Sequence, residues 1–411
     1  TLDFLFQPQV AEGLGYRPTK RGSRVEHFMQ DYYVATRAID LLYQRVCAWS
    51  AEQFLDKAIT PKVHHLGDSF VQRGNKIALR SKKSKLTNVD TLRAFLHSAW
   101  NHVPLSFELE DSLYRSMGSF RPLCTPLEAE LFRQLFSSDR VGETFRRINE
   151  LGLLARWIPE WQPMVAYFQH NVYHYYTVDE HTLNVLANAE ALASASSSFG
   201  NVFRSLPNRV PLYLACLLHD IAKPVRIGDH EVVGVSLSRN VLERLHGDDV
   251  MEDVLFLVRN HLLMEQIAFR RNLNDPQTII DFAGKVPNVH QLDLLYVLTY
   301  ADLAAVNKNV WTDWKEALLF ELYRKTRDVL ENKMTPKEME QAATEKRHAA
   351  IQELVTTLTG SVSIQEAQKH LMSIDSPSYL ATFDAGEIAQ HIQDLKKGEP
   401  VSTIFRHQQN S

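Results

Sequence analysis

The sequence predicts a mainly α protein: a helical bundle packed on an N-terminal helical domain that carries one small β-hairpin. Three observations predict it. Apolar residues recur at helical spacing through most of the 411 residues. Only residues 69–79 alternate in the manner of paired strands. The hydrophobic content of 45% is enough to bury two or three cores. A formal net charge of −4 gives no basic footprint for nucleic acid. The densest basic run, Arg80 to Lys85, reads as a solvated loop.

Taken in order, Ser23 caps a helix in which Val25, Phe28, Met29, Tyr32, Ala35, Ile39, Leu42 and Val46 form one apolar stripe. Two short alternating runs flank Gly74-Asn75 and predict the hairpin. From Val89 the helical period returns through Leu92, Phe95, Leu96 and Trp100. Pro122 and Pro126 bracket a linker. Residues 126–136 and 141–158 then read as two helices, the second unbroken to Trp157 and Pro159. Another helix starts at Val178. Ser194 to Arg209 is polar and punctuated by Gly and Pro, which predicts a loop. Helices carrying His219, Val233, Asn260 and Asp302 follow, with a loop around Gly228. Residues 333–350 are charged and helix-prone, and 360–411 read as short helices and turns. The domain boundaries this implies are 1–120 for the N-terminal helical domain, 121–165 for a helical connector, 166–330 for the bundle and 331–411 for a C-terminal helical linker.

Cysteine is sparse. Cys47, Cys124 and Cys216 stand at no metal-binding spacing, and the odd count fits a reducing, cytoplasmic compartment. No apolar stretch is long enough to span a bilayer, so no membrane partner is expected. The chain opens on Thr1, which suggests a segment of something longer.

The run "LYLACLLHDIAKP", residues 212–224, ends its apolar stretch on an imidazole and a carboxylate. Such groups enter a core only with partners, and a buried charge needs a counter-charge or a metal. Three other places put a metal-competent side chain on a helix: His181 in "DEHTL", His261 in "VRNHLL" and Asp302 in "TYADLA". The gaps are about forty residues, a helix pair with its loops, so successive helices of a bundle can present these groups at one level. His181, His219, Asp220 and Asp302 are therefore candidate metal ligands. Their mixed donors suit Mn²⁺, Fe²⁺, Zn²⁺ or Ni²⁺, and Mg²⁺ less well, leaving positions for water and a phosphate oxygen. Lys223 lies one helical turn after His219, placed to steady a phosphoryl oxygen. His230 and His261 could hold a second metal or touch substrate. His170 and His174 stand among aromatics, as packing residues or pocket walls. The bland alternative has the acidic and imidazole groups simply pairing with one another in the core.

The order His…His-Asp…Asp resembles the HD-domain metal-dependent phosphohydrolases. The longer words "YHYYTVDEHTL", "LLHDIAK", "LVRNHLLM" and "LTYADLAA" resemble the central region of the bacterial PII uridylyltransferase/uridylyl-removing enzyme family. So do "VEHFMQDYYVATRAI", "SFVQRGNKIAL", "INELGLLARWIPEW" and "LATFDAGEIAQHI", so the resemblance covers almost the whole chain. It implies an HD-domain bundle in 166–330, with the family's nucleotidyltransferase and ACT domains lacking from this stretch. It implies His181, His219, Asp220 and Asp302 as metal ligands, and it matches His230 and His261 to family positions. One departure stands out: Pro224, Val225, Arg226 and Ile227 occupy a loop that the family fills with glycine.

The expected activity is removal of UMP from the tyrosine of a uridylylated PII-type nitrogen-regulatory protein, with UMP as product. The expected cofactor is a divalent metal, Mn²⁺ or Mg²⁺ first, with Fe²⁺, Zn²⁺ or Ni²⁺ as alternatives. Lys223, Asp220 and His261 are expected to act in catalysis, and His174, His230 and Arg259 to contact substrate. The alternatives are an HD phosphohydrolase acting on a free or cyclic nucleotide, and a non-catalytic module that binds metal or nucleotide without turnover.

Overall fold

A computed structural model describes residues 2–19, 22–54, 62–67, 69–81, 85–170, 176–225, 230–306, 311–332, 338, 363–374 and 385–396. The chain divides into two compact units: Thr1–Leu273 with Asp281–Glu331, and Asn274–Ile280 with Asn332–Ser411. The described part of the larger unit is mainly helical, with one three-stranded antiparallel sheet.

Helices α1 (Gln7–Gly13) and α2 (Arg24–Phe54) open it. Ser23 and Glu26 form a reciprocal cap at the start of α2, each side chain accepting from the other's backbone N–H. Val25, Phe28 and Met29 bury against Ala11 and Phe168. The stripe expected to continue does not stay buried: Ile39, Leu42 and Val46 are exposed. The opposite side of α2 faces the protein instead. Arg37, Arg45 and Glu52 there ion-pair with Asp179, Asp111 and Lys76. Those pairs orient the helix, and the apolar period alone did not reveal it.

The hairpin forms as expected. Strands β2 (Phe70–Arg73) and β3 (Lys76–Leu79) pair antiparallel, with Arg73 opposite Lys76 across Gly74-Asn75. Gly74 has φ +60°, the left-handed conformation such a two-residue turn demands. A third strand, β1 (Val63–His65), adds to β2 and was not foreseen; it is three residues long and wholly exposed, so it has no alternation to read.

Helix α3 (Asn88–Asn101) starts at the Thr87/Asp90 capping box and buries Leu92, Phe95 and Leu96, while Trp100 is half exposed. After α4 (Phe107–Arg115), α5 (Pro126–Gln134) begins at the Thr125/Glu128 box with Pro126 in its first turn. The single helix expected over 141–158 is two: α6 (Val141–Glu150) and α7 (Leu154–Trp157). Gly152 breaks it at φ +74°, and Leu153 N–H bonds back to the Ile148 carbonyl, a left-handed helix ending.

The helices that follow are α8 (Val178–Ala191), α9 (Ser198–Ser205), α10 (Val210–Leu218), α11 (His230–Arg244), α12 (Met251–Asn260), α13 (Leu263–Arg270), α14 (Pro276–Ala283), whose first residues belong to the second unit, α15 (Val289–Val306) and α16 (Asp313–Asn332). Helix α9 corrects the loop expected over 194–209. Ser197 caps it, and burial of Phe199 and Phe203 outweighs the polar composition around them. Helix α15 is central, packing on α8, α9, α10, α12 and α13. Pro211 to Leu218 of α10 are all buried, so this helix is apolar all round, as a fully enclosed helix must be. Gly234 lets α11 lie close: a Cβ there would come within 3.2 Å of Val258 Cγ1.

In the second unit, α17 (Ile364–Ser373) packs on α18 (Ala385–Lys396), with Ala367, Leu371, Ile388, Ala389 and Ile392 buried.

Candidate metal centre

Helix α10 ends at Leu218, one residue before the pair that its sequence brings to the core. His219 keeps helical dihedrals as the C-cap, and turns of the i to i+3 kind carry the chain through Asp220 to Val225. Lys223 is therefore not on the His219 face of a continuing helix. It sits with Nζ 2.5 Å from Asp220 Oδ2.

The groups scattered over 181–302 converge. His181 Nε2, from α8, lies 2.9 Å from Asp302 Oδ1 of α15 and 3.7 Å from Asp220 Oδ2. His219 Nε2 lies 3.2 Å from Asp220 Oδ2 and 3.7 Å from Asp302 Oδ1. Ligand atoms of His181, His219 and Asp220 fall within 4.8 Å of one another. The other oxygen of Asp220 faces a second group: His230 Nε2 is 3.5 Å from Oδ1, His261 Nε2 is 3.8 Å away, and the two imidazole nitrogens are 3.4 Å apart. Asp220 thus stands between two clusters of donors, one on each carboxylate oxygen.

The local chain sets the rings. His219 Nδ1 is 2.9 Å from the Cys216 carbonyl, and His261 Nδ1 is 2.9 Å from the Val258 carbonyl. A carbonyl can only accept, so each Nδ1 carries a proton and each Nε2 faces the cluster.

Electrostatics here are unusual for a core. His219 and Asp220 are 0% and 1% exposed. Burial opposes charge on His219, but Asp220 and Asp302 outweigh it and raise its pKa. Burial likewise opposes ionisation of Asp220, yet His219 and Lys223 hold it well below the usual carboxylate range. Asp302 is depressed too, its burial outweighed by His219 and His181. His261 goes the other way: burial, with His219 beside it, lowers it to about 4. His219 Nε2 and both Asp220 oxygens make no hydrogen bond; the Lys223 and His219 contacts attract by charge without hydrogen-bond alignment. Buried polar atoms left unsatisfied in this way are costly, and here they point at one another. Two imidazole nitrogens, a bare carboxylate and Asp302 beside them are a donor set that fits a divalent cation.

The remaining expected residues divide. Arg259 is not brought to the cluster. It is half exposed, with Nη1 3.6 Å from Glu231 Oε1. His170 stacks on Phe4 at 4.0 Å. His174, Arg226 and Ile227 lie outside the described residues, while Pro224 and Val225 stand at the surface end of the turn, Val225 exposed. Among the described residues no helix is long and apolar enough to cross a membrane.

Residues 178–301 match the HD domain. Across nearly its whole length the chain is also similar to bacterial bifunctional uridylyltransferase/uridylyl-removing enzymes. Identity is 31% with that of Rhodospirillum rubrum, covering 96% of this chain and 43% of the relative. It is 32% with that of Azotobacter vinelandii, covering 98% and 46%, and 32% with that of Azospirillum brasilense, covering 98% and 45%. The chain therefore spans less than half the length of these relatives. The HD match, the likeness to uridylyl-removing enzymes and the donor cluster together support a metal-dependent phosphohydrolase.

Proposed function

We propose that this chain hydrolyses the phosphodiester joining UMP to a tyrosine of a PII-type signalling protein, releasing UMP. His181, His219, Asp220 and Asp302 would hold the divalent metal, Mn²⁺ or Mg²⁺ first. His230 and His261 on the other oxygen of Asp220 would hold a second. The observation that carries the reading is the meeting of buried, unsatisfied donors at Asp220. Removal of a uridylyl group rests on what the relatives are named for, and the PII-type tyrosine on the resemblance of the sequence words to that enzyme family. We also propose the divisions 1–120, 121–165, 166–330 and 331–411 as the domains of the chain.

A divalent cation in this set supplies Lewis acidity toward a phosphoryl oxygen and an activated water at neutral pH. The protein's own groups do the rest. The backbone carbonyls of Cys216 and Val258 hold the His219 and His261 rings in the tautomer that offers Nε2. Lys223 lies against Asp220 and brings a positive charge to the edge of the site, where non-bridging phosphate oxygens gain charge. His261, kept neutral by burial, leaves its Nε2 open to a metal rather than repelling one, and is a poor proton acceptor near neutral pH. The leaving tyrosine has an ordinary pKa near about 10 and needs little help from an acid. Arg259 would reach substrate only from the rim, beyond Glu231, and His174 is proposed as a substrate contact.

The test is to incubate the chain with a uridylylated PII-type protein and Mn²⁺ and to measure UMP. Wild type is expected to release it, and the double variant His219→Ala, Asp220→Ala to stay at background. Equal release from both would refute the activity. Free and cyclic nucleotides run alongside would replace the substrate if they alone turn over.

A further inference from the structure

The helix that brings His181 to the cluster starts at a second buried carboxylate, Asp179, which is 0% exposed. Its surroundings are the reverse of those of Asp220. Oδ1 accepts from the Thr177 hydroxyl at 2.7 Å and from the Ala166 N–H at 3.1 Å. Oδ2 accepts from Arg37 Nη1 at 2.6 Å and from Asn149 Nδ2 at 3.2 Å. Asn149 is itself held by Trp161, whose indole donates to its oxygen at 2.9 Å.

Those four donors come from four parts of the larger unit: α2, α6, the segment before α8, and the N-cap of α8 itself. Thr177 makes no ordinary capping bond because its hydroxyl is turned to Asp179. Ala166 has φ +55°, a left-handed conformation that a non-glycine residue adopts only when its surroundings hold it there. Asp179 supplies part of that hold through the Ala166 N–H. The Val178 N–H donates to the Tyr167 carbonyl at 2.8 Å, so the chain before α8 and the start of α8 are tied twice. On the next residue, Glu180 takes the other arm of Arg37 at 3.4 Å and also pairs with Arg146. Arg37 thus forks across two consecutive carboxylates in the first turn of α8, and His181 is the residue after them.

Three of the four donors come from outside α8, and bonds from three separate segments resist sliding and rotation of its first turn. His181 Nε2 must sit within reach of Asp302 and Asp220 for the donors to meet, and metal sites tolerate only small displacements of a ligand. We propose that Asp179, with Arg37, is a positioning residue of the metal centre: it fixes the first turn of α8 so that the His181 imidazole is preset toward the other ligands. The inference rests on the metal-centre reading above and adds residues that lie outside the donor cluster.

Mn²⁺ titration calorimetry on the whole chain tests it, together with the visible absorption of the Co²⁺-loaded protein, which reports ligand geometry. Asp179→Asn keeps shape and volume, but only one of its two terminal atoms can accept, so it loses either the Arg37 and Asn149 bonds on one side or the Ala166 and Thr177 bonds on the other. It is expected to weaken Mn²⁺ binding by about tenfold and to change the Co²⁺ spectrum, well below its melting temperature. Arg37→Met should do the same, and Arg37→Lys should recover part of the affinity. Glu128→Gln, which weakens the remote start of α5, serves as the destabilised control and should bind Mn²⁺ as wild type does. Wild-type affinity and spectrum in both Asp179→Asn and Arg37→Met would overturn the positioning role. So would an equal loss in Glu128→Gln, which would make the effect one of general loosening. If Asp179→Asn fails to fold, the Arg37 pair decides alone. A wild-type chain that takes up no Mn²⁺ would overturn the metal centre and this inference with it.

Discussion

Asp179 and Asp220 are both buried carboxylates of the same bundle, and they live by opposite rules. The oxygens of Asp179 take four donors, one of them a guanidinium, and none is left over. Those of Asp220 take no hydrogen bond and face imidazole nitrogens and an ammonium instead. A fully satisfied buried carboxylate is architecture: removing it strands its partners. An unsatisfied one among other donors has capacity to spare, and capacity of that kind is what a cation uses. Burial alone therefore does not separate a structural acid from a ligand; the count of committed donors does.

The comparison can be broken by substitution. The largest expected effect is at Asp179. Truncation in Asp179→Ala leaves Arg37, Asn149 and two further donors without their acceptor, and should cost about 3 kcal/mol of unfolding free energy in metal-free buffer. Urea denaturation reads it, and a cost within error of zero would equate the two carboxylates. At Asp220 the effect should show instead in the response to metal. With Mn²⁺ at a hundred times its Kd, wild type should gain about 2.7 kcal/mol, seen as a higher Tm. In Asp220→Asn that gain should vanish, and EDTA should leave the variant unmoved. A variant that still gains as much as wild type would remove Asp220 from the ligand set.

Smaller effects sharpen the contrast away from the site. Gly152→Ala forces an L side chain to φ +74° with open space around it, so strain is the whole cost, about 1 kcal/mol, again by urea denaturation. Glu128 is a third buried carboxylate, and like Asp179 it is committed. Burial opposes its charge, but the Cys124 and Thr125 N–H groups and Asn88 outweigh that and lower its pKa. A depressed folded pKa stabilises above the ordinary value of 4.5, and the benefit is lost as pH falls through the lower folded value. Glu128→Gln should therefore cost about 1 kcal/mol at pH 7 and progressively less below pH 4.5. A difference that stays constant down to acid pH would show that charge plays no part there.

Much of this was legible in the sequence because the signals were local. The hairpin at Gly74-Asn75 needed only one dipeptide and its flanks. The greasy approach to His219-Asp220 marked an enclosed helix with something to do at its end, and the spacing of His181, His261 and Asp302 put them on neighbouring helices. What could not be read depends on distant partners. Asp179 looks in sequence like any acidic residue in a first helical turn, where charge favours the dipole. Its donors Arg37 and Asn149 are far away along the chain, and nothing in "VDEHTL" names them. The inward face of α2 was misread for the same reason, because ion pairs to α4, α8 and the hairpin overrode the apolar period. The contact of Lys223 with Asp220 was not legible because the helix was extended past its true end at Leu218. Helix α9 was missed because two phenylalanines were lost in a polar average.

The two carbonyls behind His219 and His261 belong to the last turns of α10 and α12, where a helix runs out of N–H groups to offer them. Each ring folds back on the residue three before it and takes up an acceptor that the backbone had left idle. The same short hook is thus used twice, and neither copy borrows a supporting side chain from elsewhere. The aim of these nitrogens is written into a few consecutive residues, and would travel with the helix end to any scaffold that kept it.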